Sequence, residues 1–486
     1  MDRSEIRELL GDWSAGDGPL YQQLTERLRR AIADGDLTVG QRLPSERALA
    51  ESLAVSRATV VTAYEALRAE RLVSSRQGSG TVVARSALTD VARRAGDGRV
   101  KNGQAGMIFQ RLLDGPGQKL ISLSCAADPG SPWVAKALAE LDLPALLSNQ
   151  GYHPRGLPEL RQAIAAMYRE QGLPTSEDQI LVTTGAQQAI GLIAQLYARR
   201  GNTVIAETPG WPGSVDIFRD AGTDVVGVDL DDEGIDLAGV QRAIERHQPA
   251  LIYVMPSYNN PTGLVMSATR RRRLAELATR HDIPVCEDNA YDGYSAGAVP
   301  PPVAAFAPLA EVLTVGSLGK LVWGGLRIGW VRGPAGIVDR LARRKALADL
   351  GSPLLEQAVA ARLVPDLPVI RRERAAEAGE QLRVMEELLR EELPEWEWRT
   401  PDGGGSLWVR VPGVDARVFS QVALRHGVEV VPGTAMSTDG RFTDRIRVPF
   451  TFPAQTIDTL VCRLGSAWRE ARRHGAPAAM PERVIV

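Results

Sequence analysis

Apolar residues near the N-terminus recur with helical spacing. Leu20, Leu24, Leu28 and Ile32 predict a first amphipathic helix that ends at Asp34-Gly35-Asp36. Pro44-Ser45 predicts a helix start with Ser45 as N-cap, and Ala48, Leu49 and Leu53 supply the buried side of a short second helix. After a turn at Ala54-Val55, Ser56 caps a third helix. There Val60, Tyr64 and Leu67 form the core stripe and leave Arg57, Thr59 and Thr62 outside it. Leu72-Val73 and Thr81-Val82-Val83 predict two short strands around the glycine-containing turn Ser74 to Gly80, with Arg76 at its tip.

Further along, the period changes. From Lys119 onward, short apolar runs alternate with helical stretches: Ile180-Leu181-Val182-Thr183, Thr203-Val204-Ile205-Ala206, Leu251-Ile252-Tyr253-Val254, Ile283-Pro284-Val285-Cys286 and Val312-Leu313-Thr314-Val315. This alternation predicts an α/β domain around a mostly parallel sheet. Between the two regions the chain is rich in Arg, Gly, Asp and Ala. Its only apolar clusters are Met107-Ile108-Phe109 and Leu112-Leu113, as expected of a tether. The expected organisation is a helical DNA-binding-like unit at 15–84, a linker at 85–118 and an α/β region at 119–475.

Composition narrows this picture. A chain of 486 residues with 44% hydrophobic content is too long for one ordinary domain and normal for a globular protein. Lys+Arg 57 against Asp+Glu 59 gives a formal charge of -2, so any nucleic-acid contact must come from a local basic surface. Cys125, Cys286 and Cys462 are few, odd in number and far apart, which argues against a disulfide framework or a zinc cluster. The charged start Met1-Asp2-Arg3-Ser4-Glu5 lacks the apolar run of a signal peptide, and no apolar stretch is long enough to span a bilayer. The expectation is a cytoplasmic protein with no membrane partner and no metal.

The third helix offers an arginine, hydroxyls and free backbone N–H groups at its N-terminal turn, as phosphates and major-groove base edges require. The expected DNA-binding set is Arg47, Ser56, Arg57, Thr59, Arg76, Gly78 and Gly80. Leu43-Pro44-Ser45-Glu46-Arg47, Val55-Ser56-Arg57-Ala58-Thr59 and Arg76-Gln77-Gly78-Ser79-Gly80-Thr81 together closely resemble GntR-type winged helices. An ordinary three-helix scaffold with a solvated arginine face is the plainer alternative.

In open α/β sheets ligands bind at the carboxyl ends of the strands, so the residues there carry most weight. Thr184-Gly185-Ala186-Gln187 opens a helix and makes a phosphate seat. Trp211, Asn260, Asp288, Tyr291 and Ser317 follow other strands. Lys320 is one of only five lysines, and Arg327 lies seven residues beyond it. A lysine amine forms a Schiff base with an aldehyde cofactor, and a carboxylate opposite a pyridine nitrogen keeps that nitrogen protonated. Lys320 and Asp288 suit those tasks. Asn260 and Tyr291 suit the phenolic oxygen, Trp211 suits stacking on the ring, and Ser317 with Arg327 suits the phosphate. Singly each has a bland explanation: a cap, a turn, a core ring, a solvated charge. Jointly they point to pyridoxal 5'-phosphate (PLP). The Ser-x-x-Lys of serine acyl-transfer enzymes is set aside, because their Ser-Asp-Asn and Lys-Thr-Gly companions are absent.

The same residues, in order from Gly185 to Arg447, resemble the fold-type I (aspartate aminotransferase-like) PLP enzymes, with large and small subdomains. That resemblance implies that Arg447 grips a substrate carboxylate, with Arg445 as a competitor. It also implies that Tyr152 reaches the partner subunit's phosphate. Gly319 stands where Ser or Ala usually precedes the lysine, which is expected to loosen packing there. Gly403-Gly404-Gly405-Ser406 resembles a loop on the substrate side, or is simply a flexible turn.

A GntR-like winged helix joined to an aminotransferase-like domain resembles the MocR (GabR/PdxR-like) regulators. The resemblance implies a homodimer with crossed-over N-terminal modules, binding of double-stranded promoter DNA, and little or no transamination. PLP, alone or as an aldimine with an amino acid or amine effector, is then expected to modulate promoter binding at genes of vitamin B6 or amino-compound metabolism. An active aminotransferase carrying a DNA-binding domain is the competing reading, and a DNA-binding protein with a dead structural domain is a third.

Overall fold

The computed structural model describes residues 18–33, 36–38, 40–70, 72–76, 80–84, 120–124, 130–148, 150–293, 297, 299–307 and 310–474, with 6, 9–11 and 13–14. The expected linker, Gly78 and the Arg76 side chain lie outside them.

At the N-terminus, helices α1 (Leu20–Ala33), α2 (Glu46–Leu53) and α3 (Arg57–Ala69) precede strands β1 (Val73–Arg76) and β2 (Gly80–Val83). The predicted stripes meet in one core: Leu24, Leu28, Ile32, Leu49, Leu53, Val60, Tyr64 and Leu67 are buried together with Val73 and Val83. The Ser45 hydroxyl accepts the Ala48 N–H at 3.2 Å, and that of Ser56 accepts the Thr59 N–H at 3.1 Å. Each cap satisfies one N–H that its helix cannot. Two details differ from expectation. Ala48 is only half-buried, Ala50 taking the interior place. Arg76 pairs with Gly80 within the antiparallel ladder, so the strands run further than their apolar residues and the tip lies beyond Arg76.

The α/β region holds an eight-stranded sheet in the order β4-β11-β10-β9-β8-β5-β6-β7. Its strands are β4 (Ile180–Thr183), β5 (Thr203–Thr208), β6 (Asp224–Asp231), β7 (Gly234–Ile235), β8 (Leu251–Val254), β9 (Val285–Asp288), β10 (Val312–Ser317) and β11 (Gly329–Arg332). The strands from β6 through β5, β8 and β9 to β10 are parallel, while β11 runs antiparallel to β10 and β4, and β7 antiparallel to β6. Alternate residues feed two cores. Leu181, Val204, Ala206, Leu251, Tyr253, Leu313 and Val315 face one side; Ile180, Val182, Ile205, Ile252, Val254 and Val312 face the other. A sheet covered on both faces reads as unbroken apolar runs, which is why the strands were visible in the sequence. One was misplaced by two residues. The helix Ala268–His281 ends on a left-handed Asp282, and Ile283 N–H still bonds Ala278 O at 3.0 Å, so β9 begins at Val285 and Asp288 is its last residue.

Helices α4 (Ala186–Tyr197) and α5 (Ala335–Asp349) cover the first face, and the long α6 (Leu367–Glu392) leads into the small subdomain. There β12 (Ser406–Arg410), β15 (Arg445–Pro449) and β14 (Val431–Pro432) form a sheet, and β13 (Val428–Glu429) pairs with β3 (Ile121–Ser122). Helices α7 (Ala416–Arg425) and α8 (Ala454–His474) pack over it, with Trp396, Phe419 and Trp468 in edge-to-face contact. The winged helix rests on α7 of this same chain. Among the described residues no helix is long and apolar enough to cross a membrane.

Candidate functional site

Strand-end geometry collects most of the predicted α/β set. Asp288 is 2% exposed; its carboxylate accepts from Tyr253 Oη at 2.8 Å and from Ala290 N–H at 2.9 Å. Burial pushes its pKa above the usual carboxylate value, and those two hydrogen bonds pull it back. Among the described residues no cationic side chain bonds to it. A buried carboxylate with neutral donors on one side and no counter-cation is an environment that a protonated ring nitrogen would complete.

Lys320 Nζ stands 5.5 Å from the centroid of the buried Tyr291 ring. Gly319 N–H donates to Ser317 Oγ at 3.0 Å, and a Cβ at Gly319 would sit 3.2 Å from that oxygen. A side chain here would crowd the Ser317 hydroxyl, so the packing around Gly319 is close and not loosened as expected. Arg327 is held in the left-handed region (φ 51) and donates to Thr184 O at 2.7 Å. Gly185, at φ 91, lies beneath it, with the Arg327 guanidinium 3.0 Å from where a Cβ would stand; both the conformation and the close approach require glycine. The α4 N-terminus, Ala186 and Gln187, faces this turn, and Trp211 Nε1 donates to Gln187 Oε1 at 3.5 Å.

Arg447 is 1% exposed and donates to Asn260 Oδ1 at 2.9 Å and Leu123 O at 3.1 Å. Arg445, two residues away on the same strand, contacts neither and is electrostatically coupled to Asp444. Of the two arginines, Arg447 is the one buried against Asn260. The glycine loop before β12 is buried rather than loose, and Ser406 Oγ donates to Pro261 O at 3.3 Å, beside Asn260. Tyr152 stands apart from the set, 70% exposed.

Three contributors escaped the sequence reading. Tyr253 looked like a mere strand residue; its alternation with Ile252 was the available signal. Glu207, 3% exposed, accepts Met255 N–H at 2.8 Å and Asn259 Nδ2 at 2.9 Å, tying the end of β5 to the turn that carries Asn260. Burial raises its pKa to about 7 against the pull of those bonds, and the Asp288 charge adds to the rise. Arg42, the third, belongs to the winged helix.

On that unit Arg47 and Arg57 are 85% and 71% exposed, each tethered to a carboxylate, Glu51 at 3.0 Å and Glu46 at 3.1 Å. Thr59 is half-buried and bonds Ser56 Oγ through its hydroxyl at 2.9 Å. Gly80 has φ +75, and a Cβ there would lie 2.9 Å from Arg42 Nε. The segment before α2 thus lies along the wing, with Arg42 bridged to Val82 and set against Gly80.

The architecture defines a winged helix-turn-helix regulator fused to a fold-type I, PLP-dependent scaffold. Residues 128–464 match the model of aminotransferase class I and II, and residues 20–83 that of the bacterial regulatory proteins of the gntR family. The chain belongs to the aminotransferase class I and II family and carries a GntR DNA-binding domain, the composition of the MocR-type regulators. It is 31% identical to the probable rhizopine catabolism regulatory protein MocR of Rhizobium meliloti, over 78% of this chain and 79% of that protein. It is 29% identical to the uncharacterized HTH-type transcriptional regulator YdfD of Bacillus subtilis, over 86% and 89%. LysN, the α-aminoadipate aminotransferase of Thermus thermophilus solved with N-(5'-phosphopyridoxyl)-L-leucine, superposes with a TM-score of 0.68 at 26% identity, covering 75% of this chain and 95% of that one. PLP is accordingly the cofactor of this scaffold.

Proposed function

We propose that this protein is a cytoplasmic transcriptional regulator that binds double-stranded promoter DNA through Arg47, Ser56, Arg57, Thr59 and the wing. Its aminotransferase-like domain senses PLP, alone or with an amino acid or amine. The carrying observation is that one chain holds both an exposed basic recognition face and, at the strand ends, a buried Asp288 together with Lys320 over the Tyr291 ring.

PLP supplies an electrophilic carbon and an electron-withdrawing ring. Lys320 would be the amine that attaches it. Asp288, oriented by Tyr253, would keep a proton on its ring nitrogen. Asn260 and Tyr291 would hold its phenolic oxygen, and Trp211 would pack on its ring. Gly185, Ala186 and Gln187 present backbone N–H groups to the phosphate with Ser317 and Arg327. Arg447 pairs with an effector carboxylate, and closure of the small subdomain over that effector shifts the winged helices relative to one another.

The protein acts as a homodimer. Leu147, Leu347, Leu350 and Tyr152, at 81%, 91%, 58% and 70% exposure, are large apolar or aromatic side chains left on the surface of the single chain, and their exposure supports self-association. In this proposed dimer a crossed-over winged helix takes on the partner the place that it takes on its own chain here. Promoters of vitamin B6 or amino-compound genes are the proposed targets.

The test is affinity for DNA upstream of the protein's own gene, with and without PLP, at one salt concentration. A PLP-dependent change that vanishes in Lys320→Ala supports the reading. Binding indifferent to both PLP and amino compounds overturns it. The intact set around Lys320 favours one second reading, an active aminotransferase, which sustained release of keto acid from an amino acid would establish.

A further inference from the structure

Helix α2 ends at Leu53 with no basic residue in its last turn, and Ala54 follows in the left-handed conformation (φ 50). Terminal carbonyls at the negative end of a helix favour a cation, and the last turn of α2 carries none. The small subdomain supplies one. Arg425, the last residue of α7, donates from Nη1 to Leu53 O at 3.3 Å and from Nη2 to Ala54 O at 3.2 Å. Its guanidinium is fixed from behind by Glu470 of α8 at 2.6 Å, a carboxylate that also meets His426 at 2.7 Å. Gln421, one turn earlier, donates to Gly11 O at 3.5 Å, and Ala54 packs on the core of the α/β region.

Leu53 ends α2 and Ala54 opens the turn to α3, so this contact holds the junction between the two helices of the helix-turn-helix. It leaves the DNA face open, since Arg47 and Arg57 stay exposed at 85% and 71%. Arg425 is also mechanically close to the effector site. Three residues after it, β13 pairs with β3, and the next residue of that segment, Leu123, accepts from Arg447. Val431 of β14 pairs directly with Arg447.

We propose that the α7–α8 face of the small subdomain is the seat of the winged helix, and that Arg425 is the positioning residue that transmits small-subdomain movement to the helix-turn-helix. The transmission rests on the ligand-sensing reading given above; the seat does not. Movement of β13 and β15 about a bound carboxylate shifts α7 as a unit, and the two carbonyl bonds carry that shift to the turn. The contact combines side-chain bonds to the Leu53, Ala54 and Gly11 carbonyls with the apolar Ala54, and interfaces between domains that are rich in polar bonds re-set their angle more readily than a fused apolar core.

The experiment compares full-length wild type with Arg425→Ala, Arg425→Lys and Glu470→Gln, each first shown to melt cooperatively and to bind PLP. Hydrogen exchange of residues 46–60 reads the seat. Affinity for a duplex carrying two half-sites against one carrying a single half-site, with and without PLP plus a mixture of the common amino acids, reads the transmission. The expectation is faster exchange in Arg425→Ala, unchanged single-site affinity, and a ligand response reduced to within about twofold. Partial recovery is expected in Arg425→Lys, which keeps the cation but not the fork. Unchanged exchange in both Arg425→Ala and Glu470→Gln overturns the seat. Faster exchange with a full ligand response overturns the transmission. A wild type without any ligand response overturns the sensing reading and the transmission with it, while faster exchange in Arg425→Ala still upholds the seat.

Discussion

Tyr253 donates its hydroxyl to Asp288 at 2.8 Å, with both side chains buried beneath the strand ends. The bond stabilises the ionised carboxylate against burial, which alone favours the neutral acid. Tyr253→Phe removes that support. Hydrogen bonds to charged groups contribute about 1.5–3 kcal/mol, so PLP affinity is expected to fall by about tenfold or more. Titration of the protein with PLP, followed by absorbance, measures it; affinity within about twofold of wild type would remove Tyr253 from the site.

Lys320→Ala is expected to abolish covalent attachment while leaving the fold intact, because the half-buried side chain is not a core element. Borohydride treatment with PLP followed by peptide mass mapping should label Lys320 in wild type and no lysine in the variant. Label at Lys345 in wild type would contradict the assignment. That side chain is wholly buried and paired with Asp349 at 2.6 Å.

Glu207 carries a pH signature. Its pKa in the folded protein is raised to about 7 by burial, above the unfolded value, so the folded state holds the extra proton between those two values. Stability is therefore expected to fall as pH rises from about 4.5 through about 7, by roughly 3 kcal/mol at most. Glu207→Gln keeps an acceptor for Met255 N–H and Asn259 and removes the titration. Thermal midpoints measured between about pH 5 and pH 8 should flatten in the variant; an unchanged slope would mean that another group titrates.

The winged helix is expected to separate charge from geometry. Arg57→Ala and Arg47→Ala each remove an exposed cation paired with a half-buried carboxylate, so each should weaken DNA binding and lower the salt slope by about one. Gly80→Ala changes no charge but strains a backbone at φ +75 and displaces Arg42, so DNA affinity should fall with only a modest loss in melting temperature. Wild-type affinity in Gly80→Ala would mean that Arg42 is not part of the interface.

Legibility followed the physics of each element. Val60, Tyr64 and Leu67 could be read as a stripe because helix caps and period are local, and Ser45 and Ser56 bond within their own first turns. The central strands could be read because burial on both faces leaves few polar residues. Strand β9 was misplaced because Ile283 and Pro284 are as apolar as a strand and only the cap at Asp282 excludes them.

By itself the sequence determined the two-part architecture, the recognition helix and the order of cofactor-binding candidates, because each is encoded in local spacing and residue type. Tertiary structure alone decided three things. It set Arg447 apart from Arg445: two residues apart, both point to the same side of β15, yet only Arg447 is fully buried and bonds Asn260. It made Tyr253 and Glu207 partners of the site, because burial turns an ordinary hydroxyl and carboxyl into obligatory hydrogen-bonding groups. And it set Arg425 against the turn at Leu53 and Ala54, a contact 371 residues apart in sequence that no local pattern can announce.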